Sequence, residues 1–226
     1  MRVGIHQPNY IPWGGYFYKV LHSDVFIFLD DAQYTKNSLI NRNKIKTAAG
    51  AAWLTIPVKG SISKTIHEIG FAVDSWANKH ISTLQMNYAK APYTKDYLPQ
   101  IAECMLKPYD NLANHNIPLI QMIAGFLGAK CVFLRSSEMK AEGKSDKKLA
   151  ALVCEAEGTV YLSGKGGANY QSEETFAQNG VKLAYTNYVQ REYPQLWGPF
   201  EANLSILDIL FNCGDKSAEW IRGSVQ

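Results

Sequence analysis

The chain has 226 residues, 46% of them apolar and 19% charged, and a formal net charge of +3. That is enough apolar material for a sizeable core, too little charge for a disordered chain, and too small a basic excess for a protein that coats nucleic acid. Cys104, Cys131, Cys154 and Cys213 form no CxxC pair and lie at no metal-ligand spacing from a histidine, so they read as reduced, mostly buried thiols.

The N-terminus meets polar residues directly after "RVGI", without the apolar stretch of a signal peptide. The longest apolar segment, 117–128, contains Gln121 and falls short of the ~18 residues that a spanning helix needs. A cytoplasmic protein with no membrane span is expected.

In chain order, "RVGIH" predicts a strand and Trp13 to Leu21 a helix. "SDVFIFLDD" predicts a second strand, and its unbroken Val25–Leu29 run suits burial on both faces. Strand, helix, strand implies a parallel pair. Residues 38–59 alternate polar and apolar around Ala49-Gly50, as in a β-hairpin, and "TIHEIGFAV" predicts a further strand. Three helices follow at about 75–89, 93–106 and 112–127, with Asp74 as N-cap of the first and Pro92 between the first two.

Alternation then resumes. "KCVFLRS" is a strand, "SDKKLAALVCEAEG" a helix capped by Ser145, and "TVYLSG" a strand. "SEETFAQNG" is a helix started by Ser172, "VKLAYTNY" the last strand, and "NLSILDILFNCG" a helix capped at Asn203 or Ser205 and ended by Gly214. The predicted architecture is one α/β domain over 1–226: a mainly parallel, open, Rossmann-like sheet, with a hairpin insertion at 38–73 and a helical insertion at 74–128. In such sheets ligands bind at the carboxyl ends of the strands.

Three polar stretches fall at predicted strand ends. The first is His6-Gln7-Pro8-Asn9-Tyr10, stiffened by Pro8 and Pro12 and followed by Trp13, Gly14-Gly15 and Tyr16. It presents an imidazole and two amides beside rings that can stack on a base or sugar; the bland reading is a packed structural loop. The second is Asp30-Asp31, able to act as a base or to cap a turn. After it comes a basic, amide-rich run with Asn41, Arg42, Lys44 and Lys46, which suits phosphates or is simply a solvated hairpin face. The third is Ser163-Gly164 through Tyr170, a glycine-rich loop matching neither common nucleotide fingerprint. Lys79 and His80 on the Trp76 helix, with Tyr88 near its end, complete the candidates.

The blocks "IHQPNYIPWGGYFYKVLHSDVFIFLDDAQYTKNSLINRNKIK", "WLTIPV", "WANKHISTLQMNYAKAPY", "YLSGKGGANY" and "YPQLWGPFEANLSILDILFNCG" resemble the WbqC-like family of bacteria. Its genes lie among those for O-antigen and other surface polysaccharides. Members are often described as glycine transferases, which implies amide formation on an amino sugar. The order of strand, histidine, glycine and helix also looks like the nucleotidyltransferase superfamily that includes pantothenate synthetase, although the second histidine of that pattern is missing.

The resulting expectation is a transferase that joins an acyl or aminoacyl group to a nucleotide-linked amino sugar. His6, Asp30 or Asp31 would take the proton, Gln7, Asn9 or the Ser163–Gly164 backbone would steady the oxyanion, and Arg42, Lys44 and Lys46 would hold phosphates. The partners implied are that small molecule and an acyl donor or carrier protein, with no nucleic acid. No motif identifies a cofactor, and no metal ligands are assigned. The alternatives are an ATP–Mg²⁺-dependent adenylating enzyme and a non-catalytic glycan-binding protein.

Overall fold

The computed structural model describes residues 1–169 and 171–223. The chain runs β1 (Arg2–His6), α1 (Gly14–Leu21), β2 (Val25–Phe28), then the hairpin β3 (Arg42–Thr47) and β4 (Gly50–Thr55). The short pair β5 (Val58–Lys59) and β6 (Gly70–Phe71) follows, with helices α2 (Trp76–Tyr88), α3 (Thr94–Leu106) and α4 (Leu112–Phe126). The second half is β7 (Val132–Arg135), α5 (Ser145–Glu155), β8 (Val160–Ser163), α6 (Glu173–Ala177), β9 (Lys182–Tyr185), α7 (Ile206–Cys213) and α8 (Ser217–Arg222). No helix among the described residues is long and apolar enough to cross a membrane.

Five strands form one sheet in the order β7-β2-β1-β8-β9, and every pairing in it is parallel. Side chains alternate between its faces. Val3, Ile5, Val25 and Ile27 pack with Ala150, Leu152, Val153 and Phe176 of α5 and α6. Phe26 and Phe28 point the other way, into a larger core with Phe17 and Val20 of α1 and with the inserted helices. This two-sided burial is why the strands read as continuous apolar runs.

The topology positions the site. From β1 the chain builds outward through β2 to β7, then returns to the other side of β1 with β8 and β9. The loops leaving β1 and β8 therefore diverge, and a crevice opens between their carboxyl ends.

The predicted hairpin forms, but its turn is Ala48-Ala49, one residue earlier than expected, with Gly50 at φ +101 already paired with Thr47 in β4. It braces the loop after β1: the Asn43 amide donates to Ile11 O at 2.8 Å, and Ser205 N donates to Lys44 O at 2.8 Å. Ile11 is a β-branched residue at φ +36, a strained conformation that this buried bond holds in place.

Several local expectations change. "TIHEIGFAV" is not one strand. Glu68 Oε2 accepts from both the N–H and the hydroxyl of Thr65 (2.9 and 2.6 Å), which coils Ile66–Glu68 into a 3-10 turn and leaves only Gly70–Phe71 to pair. Asp74 does not cap α2; Ser75 holds that position without a side-chain bond. Ser145 is the first residue of α5 and provides no cap. Ser172 and Ser205 do cap α6 and α7, and Gly214 ends α7 at φ +57.

Candidate active site

Between the ends of β1 and β8 lies a cleft of about 570 Å³. On the β1 side, His6 Nδ1 and Tyr16 Oη both donate to the Gln7 carbonyl, at 3.1 and 3.2 Å. A carbonyl only accepts, so the His6 proton sits on Nδ1 and Nε2 keeps its lone pair. Burial, and then the charge of Lys19, push the His6 pKa down to about 3 against the lift from the Gln7 bond, so the ring is neutral. Its face rests against Tyr16, ring centroids 4.7 Å apart.

On the β8 side, Ser163 leads into Gly164–Gly167, and Thr186 at the end of β9 completes the wall. A Cβ at Gly166 would meet nothing within 4 Å, and at Gly164 only Lys19 Nζ at 3.9 Å, so both glycines border open space. Gly167 is tighter: a Cβ there would lie 2.4 Å from both Ser163 Oγ and Gln171 Oε1. That Gln171 oxygen is buried with no hydrogen-bond partner among the described residues. Trp13 and Tyr188 meet edge-on, 5.3 Å between ring centroids, in the wall on the α1 side.

Lys19 reaches this cleft from α1. Its side chain is buried, Nζ donates to Ile5 O at 3.1 Å, and burial lowers its pKa to about 8. No carboxylate is among the described residues that line the cleft.

Of the residues picked out from sequence, His6, Gln7, Trp13, Tyr16, Ser163 and Gly164 meet here; Tyr170 lies outside the described residues. The others are engaged elsewhere. Asp30 is fully buried and accepts from Arg135 (2.8 and 2.7 Å) and from the side chain and backbone of Ser137 (2.7 and 3.0 Å). Burial raises its pKa, but the Ser137 and Arg135 contacts outweigh that and leave it below the ordinary carboxylate value. Asp31 is bound by Lys148 and by Ser136 Oγ. Both aspartates join β2 to the next strand rather than facing the cleft.

Tyr10 is buried and shares a hydrogen bond with His80 Nδ1 at 2.8 Å, with the pKa of His80 lowered to about 4 by burial. Asn9 is buried as well. Asn41 spans Tyr34 Oη and Ile56 O, and Tyr88 donates to Asp208 at 2.7 Å. Arg42 and Lys44 lie over the exposed Trp53 ring, at 4.3 and 5.2 Å, and are not in the cleft wall. Lys46 is buried against Gln195 and Pro199, and Lys79 is exposed on α2.

Sequence reasoning missed Lys19, Gln171, Thr186 and Tyr188. A signal existed for the first: Lys19 is the one charged residue of "GGYFYKVL", a helix buried on nearly every side.

The model of the WbqC-like protein family matches residues 7–220. A protein of Mycobacterium tuberculosis, described as uncharacterized protein Rv1507c, is 37% identical over 226 residues, covering 98% of this chain and 97% of that one. No solved structure matches the chain.

Proposed function

The chain belongs to the WbqC-like protein family, and from that premise we propose that it transfers an acyl or aminoacyl group onto an amino sugar carried by a nucleotide, in surface-polysaccharide synthesis. The observation that carries this reading is the meeting of His6 and Gln7 with Ser163 and Gly164 across the β1–β8 cleft. Its volume suits a small polar ligand.

In this mechanism the sugar amine attacks the acyl carbonyl carbon as a neutral nucleophile. His6 Nε2 takes the proton that the nitrogen sheds, a role that requires the substrate's negative charge to offset Lys19 and lift the His6 pKa from about 3. The Gln7 amide and Ser163 hydroxyl donate to the developing oxyanion, and the donor's leaving group departs as the carbonyl re-forms. Trp13 and Tyr188 provide ring faces for base or sugar. His6 is preferred to Asp31 as the base because Lys148 already engages that carboxylate.

A thermal-shift panel tests this with amino-sugar nucleotides, their hydroxyl-sugar counterparts, and ATP with and without Mg²⁺. The expected outcome is stabilisation by the amino-sugar nucleotide, about 2.7 kcal/mol at roughly 100 times Kd, and, once an activated acyl or glycyl thioester is added as donor, release of its thiol with amide product, lost in His6→Ala. Stabilisation by ATP–Mg²⁺ alone would overturn the reading in favour of adenylation. Binding of glycans without turnover would favour a non-catalytic protein.

A further inference from the structure

We propose that Lys19 is the anion-binding residue of this cleft and seats a phosphate of the substrate; the inference rests on the nucleotide-sugar reading above. An ammonium carries three N–H donors, and Lys19 Nζ spends one, on Ile5 O. Its side chain is 5% exposed, and no carboxylate among the described residues forms an ion pair with it. A cation held out of water without a counter-charge is costly, and an apolar residue would serve packing better. The remaining donors are available to the oxygens of an anionic ligand in the cleft.

The surroundings fit that ligand. Nζ lies 3.9 Å from where a Gly164 Cβ would be, so the glycine leaves the ammonium open on that side, and Gly166 borders free space beyond. Among the described residues the lining offers no carboxylate to compete with an anion, and Lys165 adds a second cation at the wall. The hairpin cations are committed elsewhere. Arg42 and Lys44 lie over Trp53, and Lys46 donates to Gln195 and Pro199. His6 faces the same space as a neutral ring whose unprotonated Nε2 is a poor anion ligand, which leaves the anion to Lys19.

The test is calorimetric titration of the full-length protein with uridine diphosphate and with inorganic pyrophosphate at low salt. The proteins compared are wild type, Lys19→Met, Gly164→Val and the double variant Arg42→Gln/Lys44→Gln. Lys19→Met should weaken both anions by about 100-fold, as expected for removal of a desolvated cation from its counter-ion. Gly164→Val should weaken them comparably by filling the space beside Nζ, and the hairpin double variant should stay within about threefold of wild type. Pyrophosphate binding that depends on Lys19, with no gain from the nucleoside, would uphold the inference while removing the nucleotide reading. The inference is overturned if neither anion binds wild type, if Lys19→Met binds as wild type does, or if the hairpin variant is the one that loses affinity. Should Lys19→Met fail to fold, unchanged affinity in Gly164→Val would overturn it equally.

Discussion

At the scale of single residues, the buried bases make stability depend on pH in two windows. His6 has its pKa lowered from 6.5 to about 3, and His80 and His115 from 6.5 to about 4, each chiefly by burial. The unfolded chain therefore binds more protons than the native one below pH 6.5, and their contribution is lost as pH falls towards 4 and then 3. Lys19 follows the same sign at higher pH. Its pKa is lowered from 10.5 to about 8, so stability rises as pH climbs from 8 to 10.5, by at most about 3 kcal/mol. Urea titrations across this range should show the acid slope directly. Burial raises the Cys131 and Cys213 thiols from 9 to about 11 and opposes the Lys19 slope above pH 9, so the alkaline rise is read as the difference between wild type and Lys19→Met. A difference that stays flat from pH 8 to 10.5 would mean that Lys19 is solvated.

At the scale of elements, one amide links the hairpin to the loop that follows His6. The Asn43 side chain donates to Ile11 O at 2.8 Å in the interior and accepts from Lys44 N at 2.8 Å in a part-buried bond. Asn43→Ala leaves a buried carbonyl unmet and releases the strained Ile11, so it should cost about 2 kcal/mol in denaturant unfolding. It should also weaken ligand binding in the cleft, although Asn43 is not part of the lining. A stability loss with unchanged binding would show that the hairpin does not brace the site. The aspartates illustrate the same scale: Asp30 takes up Arg135, more than 100 residues away, and so joins β2 to β7 instead of facing a substrate.

At the scale of the whole molecule, the cleft lies where the sheet changes direction, with β1, β2 and β7 on one side and β8 and β9 on the other. A ligand that touches both walls should slow amide hydrogen exchange in β1–β2 and in β8–β9 together, by the same free energy as the global stabilisation. Slowing confined to one side would mean that the ligand does not span the switch point. The sequence by itself determined the strand–helix alternation, the doubly buried β2 run, the hairpin and the polar residues that follow β1 and β8. These depend on local periodicity, and a strand's end is a local feature. Only the tertiary structure decided which polar residues face the cleft. Arg42, Lys44 and Lys46 share a strand face by alternation, but Lys46 is drawn inward by Gln195, which lies 149 positions away. Tyr10 is turned from the cleft by His80, 70 positions on, and Lys19 becomes a cleft residue only when β8 settles beside β1. Burial and pairing over such separations arise from packing, which no short window of sequence contains.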